Sequence, residues 1–157
     1  MVCMIVLSVI LSIGIVVLAV RTAKELPDSV SSFSYYVGDV RFAIWASATA
    51  VLLLFPVLHV LPAECSCVGG LMSVGLLLVA ASPYYRTENK VQHYTGGYLF
   101  GLCSQAVVAL LMPCLLLSWT LFPLVFIRRS WRENATFVAE AICYLTLSVS
   151  LIVSLLS

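Results

Sequence analysis

Along the chain, long stretches of almost unbroken apolar residues alternate with short polar segments. A helix crossing a hydrocarbon core of about 30 Å needs about 20 mostly apolar residues at about 1.5 Å rise each. Residues 2–20 and 42–61 meet that length, the second with Pro56 as an expected kink. Residues 67–82 are shorter but uncharged, and begin beside Gly69 and Gly70. Residues 97–127 run without a charge, too short for two spans with a turn and too long for one upright helix. Pro113 and Pro123 predict one span over 97–118 with a kinked or interfacial extension to Ile127. Residues 135–157 make the last span and carry one charge, Glu140. The pattern predicts an all-α integral membrane bundle of five transmembrane helices, forming a single domain over residues 1–157.

Composition agrees with lipid as the solvent. The chain is 62% apolar and 10% charged, against about 45–50% and about 25% for soluble domains. The first stretch has no basic segment before it, and its run of about 19 apolar residues exceeds a signal peptide's usual core, so it reads as the first span. A net charge of +1 implies no nucleic-acid partner. Of six cysteines only Cys65 and Cys67 share a loop, and no histidine or cysteine pair joins them at ligand spacing. No metal or other cofactor is expected.

Polar residues at membrane depth are costly and therefore informative. His93, Gly97, Gly101 and Gln105 recur every fourth residue and so share one helix face. Gly97 to Gly101 is also a G-x-x-x-G step, a packing seam for a partner helix or a second copy of the chain. Thr136, Glu140, Tyr144 and Ser148 form a second stripe, and Arg41, Trp45 and Thr49 a third. In a five-span topology His59 and Glu140 lie at similar depth, and a hydrogen bond between them would satisfy both.

Between the first two spans lies a hydroxyl-rich strip, SVSSFSYYVGDVRF, over residues 29–42. With Arg86 and His93 it outlines a polar basin rimmed by Ser31, Tyr35, Arg41, Arg86 and His93 and floored by Trp45 and Gln105. Tyr36 and Asp39 lie in the same strip, Asp39 where it can cap the second span. Orientation is divided by charge. Counting Lys and Arg favours the loops at 21–41 and 83–96 inside, whereas local density favours the RRSWR run, residues 128–132.

The order S-x-S-x-Y-Y, then Asp39 and Arg41 at the head of a span, then GGLMSVGLLLVAASP and a span opening with His93, resembles a known group. It is similar to small uncharacterised bacterial multi-pass membrane proteins, distant cousins of the DRAM and Sfk-like families, over about residues 28–105. Mapped onto this chain, the group's polar positions are Ser31, Tyr35, Tyr36, Asp39, Arg41 and His93. The chain departs from the group in its short length and in PYY where relatives tend to have F-P-T. The resemblance implies an extracytoplasmic first loop, hence a cytoplasmic N-terminus, a cytoplasmic RRSWR run and a place in the cell membrane. The Asn134 sequon would then face the cytoplasm.

Three functions are weighed. The first is a non-enzymatic module whose extracytoplasmic basin binds a lipid headgroup or small ligand, or docks a partner helix. The second is an intramembrane hydrolase with His93 and Asp39 as acid and base, although two histidines are too few for a three-ligand zinc site and no G-x-S-x-G turn is present. The third is a small transporter or channel subunit, for which a repeat is lacking. The first is the expectation, with membrane lipids as partners.

Overall fold

Residues 2–20 are rich in valine and isoleucine, poor helix formers in water. In hydrocarbon no water satisfies a free N–H or C=O, so the backbone must close its own hydrogen bonds. The computed structural model describes residues 1–127 and 129–157, with the backbone alone at 129 and 130. Its helices are α1 (Val2–Ala23), α2 (Phe33–Val37), α3 (Asp39–Val60), α4 (Ser66–Ala80), α5 (Lys90–Leu111), α6 (Arg129–Arg132) and α7 (Ala135–Leu156). Five are long and apolar enough to cross a membrane: α1, α3, α5, α7, and α4 taken with the 3-10 turn Ala63–Cys65 that leads into it. No strand occurs among the described residues.

The expected span over 97–118 is corrected at both ends. Helix α5 starts seven residues earlier, at Lys90, and stops at Leu111. Met112 takes a non-helical conformation, φ −147° and ψ 74°, as the residue before a proline is pushed out of the α region. The next 14 residues, Pro113–Phe126, form a long 3-10 helix. That segment turns back along the bundle. Leu115 and Leu116 pack on the apolar cluster that holds Ile5, Leu61 and Leu151, at the end where α3 finishes. Halfway along, Trp119 Nε1 donates to Gln105 Oε1 at 2.8 Å. Val125 then lines a small pocket with Leu26 and Asn134 at the opposite end.

Rise per residue explains how so short a segment makes the journey. At about 2.0 Å per residue a 3-10 helix of this length covers roughly 28 Å, whereas an α-helix would cover roughly 21 Å. The chain thus traverses the bundle six times, and α7 begins where α1 ends. The five-span topology put those two points at opposite ends.

Two glycines set the closest helix approach. A Cβ on Gly75 of α4 would lie 2.6 Å from the Phe100 backbone nitrogen, and one on Gly96 of α5 would lie 2.6 Å from the Gly75 carbonyl. The expected seam at Gly97 and Gly101 is not this contact: a Cβ at Gly97 would meet nothing within 4 Å. Helix α4 is also tied to α3 by Ser73 Oγ, which donates to the Ala50 carbonyl at 3.2 Å.

Candidate functional site

The polar strip folds into a plug at one end of the bundle. Ser32 Oγ donates to the Ser29 carbonyl at 2.7 Å, and the Ser32 N–H donates back to Ser29 Oγ at 3.1 Å. These local bonds close the turn before α2. Phe33 is fully buried and packs its ring near Trp45 and Phe137, with centroids 6.5 and 6.1 Å away. At Gly38 the backbone takes φ 90° and ψ 150°, a region open essentially to glycine, and α3 starts at the next residue. Asp39 is that first helical residue, and no side chain caps the helix.

Helix α7 holds the plug from below. The Val30 N–H donates to Glu140 Oε2 at 2.6 Å, and Ser31 Oγ donates to Glu140 Oε1 at 3.3 Å. The Phe137 N–H donates to the Asp28 carbonyl at 3.1 Å. Asn134 Nδ2 donates to the carbonyls of Leu26 and Pro27 at 2.9 and 3.1 Å. The nitrogen a glycan would need is therefore engaged in the fold. The expected His59–Glu140 pair does not form. His59 is exposed in the last turn of α3, at the far end, because the sixth traverse brings Glu140 to the strip instead.

The connection between α4 and α5 clamps the plug from the side. Arg86 pairs with Asp28 at 2.8 Å, its N–H donates to Tyr35 Oη at 2.8 Å, and its guanidinium lies 5.1 Å from the Tyr35 ring centre. Next in the chain, Tyr85 stacks on the His93 ring at 4.1 Å, with the planes 15° apart. Ser34 Oγ donates to the Pro83 carbonyl at 2.6 Å.

Beneath the plug lies a cavity of about 840 Å³ enclosed by α1, α3, α4, α5 and α7. His93, Gly97, Gly101 and Gln105 all line it, as do Trp45, Thr49, Thr136, Glu140 and Tyr144. Its far end is filled by the cluster around Leu53, Val107 and Leu147. Ile13 of α1, Tyr98 and Leu102 of α5 and Leu145 of α7 belong to its wall yet stay exposed. The cavity therefore opens sideways, toward hydrocarbon, on either side of α7. Gln105 is fixed by Trp119 on its oxygen and by Thr146 Oγ1, 3.2 Å from its nitrogen. Tyr144 Oη and Ser8 Oγ lie 2.6 Å apart, and Trp45 Nε1 donates to Ser12 Oγ at 3.2 Å.

Two polar atoms on this wall have no partner: Thr49 Oγ1 and His93 Nε2. His93 is only 2% exposed. Its Nδ1 lies 2.8 Å from the Ser82 carbonyl, an acceptor, so Nδ1 carries the proton. In the neutral ring this leaves Nε2 a bare acceptor.

The structure thus splits the residues expected to form one basin. Ser31, His93 and Gln105 reach the cavity. Tyr35 and Arg86 form the clamp outside it, while Arg41 is exposed and neither Tyr36, Asp39 nor Arg41 is part of the wall. Asp39 and His93 consequently form no acid–base pair facing a shared space. Sequence reasoning missed Phe33, the only large apolar side chain amid the hydroxyls of the 29–34 run, and that isolation was its signal. It also missed Asn134, read as a sequon.

No protein-family model, curated protein or solved structure matches this chain.

Proposed function

We propose that this chain is a non-enzymatic membrane module that holds one amphiphile in the cavity between its helices. The observation that carries the reading is the cavity itself: about 840 Å³ with an apolar wall and sideways openings, and with two residues on that wall, Thr49 and His93, that each keep a buried polar atom unpartnered. The volume lies within the range of small-molecule sites, about 300–1,000 Å³. Buried polar atoms are normally paired, and a ligand would supply what His93 Nε2 and Thr49 Oγ1 lack. The chain of the ligand would enter from the bilayer around α7 and its head would lie under the plug. Transport by alternating access is disfavoured by the filled far end and the clamped strip, and hydrolysis by the expected pair by Asp39 lying off the wall that holds His93.

Orientation rests on two cues that now oppose each other. Among the described residues Arg21, Lys24, Arg41, Arg86, Lys90 and Arg132 gather at the plug end, and the connections at the other end hold no Lys or Arg. The positive-inside rule puts such an end in the cytoplasm, whereas the family resemblance puts the first loop outside. Arg128, the first of the RRSWR run, lies outside the described residues. The cavity and its openings are the same in either orientation.

Mass spectrometry of the protein released from native-lipid nanodiscs tests the reading. Wild type should carry one amphiphile per chain. Gly97→Leu with Gly101→Leu should lose it, since both glycines line the cavity and neither has a side-chain neighbour closer than 4.0 Å. A wild-type chain released without a bound amphiphile would overturn the proposal. So would undiminished occupancy in the double variant, which would point to binding elsewhere, for example at an outer helix face.

A further inference from the structure

Every charged side chain on the cavity wall, among the described residues, is a carboxylate: Asp28, Glu133 and Glu140. Asp28 already pairs with Arg86, the one ion pair among the described residues. Glu140 is bound only by the uncharged donors of Val30 and Ser31. Glu133 is exposed at the edge of the cavity. No Lys or Arg of the described residues lines the space. A carboxylate at membrane depth without a counter-charge is costly, so the site is short of a cation.

Two further features ask for the same chemistry. His93 Nε2, buried and unpartnered on the same wall, needs a hydrogen-bond donor. Tyr94, Tyr98, Phe137 and Tyr144 bring aromatic rings to the wall, and ring faces attract ammonium groups once water is excluded. Anionic heads meet carboxylates with no Arg or Lys to offset them. Arg41 and Arg86, the cations expected on the rim of the basin, are respectively exposed off the cavity wall and held on Asp28.

We infer that the ligand class is a single-chain amphiphile with a cationic amine head, its ammonium set under the plug near Glu140 and His93 and its chain running along the apolar wall. This deepens the amphiphile reading and rests on it.

Three probes with one chain length separate the two claims. The protein in phosphatidylcholine nanodiscs is titrated at neutral pH with hexadecylamine, hexadecanol or hexadecyl phosphate, and one-to-one complexes are counted by native mass spectrometry. The amine should bind about tenfold or more tightly than the phosphate, as one charge-assisted contact implies, with the alcohol between them. Glu140→Gln keeps an acceptor for the Val30 N–H and should bring amine and alcohol close together. Glu133→Gln, at an exposed position, should narrow the gap in the same direction and covers the case in which Glu140→Gln fails to fold. If the alcohol binds and the amine binds no better than the phosphate, the head-group assignment is wrong and the cavity reading survives. If none of the three binds, both are wrong.

Discussion

Gly38 is where the strip becomes a helix, and its backbone decides whether the plug can form. Its φ of 90° with ψ 150° is a conformation that a Cβ makes costly, while the space around it is open. Gly38→Ala should therefore lower stability by about 1–3 kcal/mol through backbone strain alone. Thermal unfolding in nanodiscs would show the loss, and Gly14→Ala, equally open but inside the regular helix α1, should show little change. Equal behaviour of the two variants would mean that the plug does not depend on this turn. At the same scale, Glu140 binds a partner other than the expected His59. Its residue type and depth were readable and demanded a partner, yet the partner is a backbone N–H 110 positions away. A backbone donor leaves no mark in the sequence.

At the scale of elements, periodicity carried most of the information. The stripe His93, Gly97, Gly101, Gln105 was legible as one face because an α-helix repeats every 3.6 residues, and that face does line the cavity. Its purpose was less legible, since a glycine that opens space and a glycine that admits a neighbour are the same letter. Within the chain, the α4–α5 contact uses Gly75 and Gly96, the latter one residue before Gly97. Gly96→Ala should disturb the α4–α5 packing by about 1–3 kcal/mol, the usual range for overpacking, whereas Gly97→Ala should be nearly neutral. Unfolding curves for the pair check this, and the reverse order would mean that Gly97, not Gly96, sets the α4–α5 approach. The 3-10 helix was the element that pattern could not reveal. Hydropathy counts residues, and translating a count into length requires the rise per residue, which differs between α and 3-10 geometry. Pro113 and Pro123 signalled an interruption but not that the chain continues across.

For the whole molecule, that one segment fixes everything at the plug end. With five traverses Glu140 would lie beside His59, and the strip would have nothing beneath it. With six, α7 starts under the strip, Asn134, Phe137 and Glu140 bind it, and a cavity is enclosed. Thiol accessibility tests this most directly. In a background with all six native cysteines replaced, single cysteines are introduced as Glu88→Cys, Glu133→Cys and Glu64→Cys, all at exposed positions, and challenged with an impermeant maleimide in intact cells and in inverted vesicles. Glu88→Cys and Glu133→Cys should label from one side and Glu64→Cys from the other, and the side that labels in intact cells fixes the orientation. Labelling of Glu133→Cys together with Glu64→Cys, opposite to Glu88→Cys, would contradict the sixth traverse and with it the cavity.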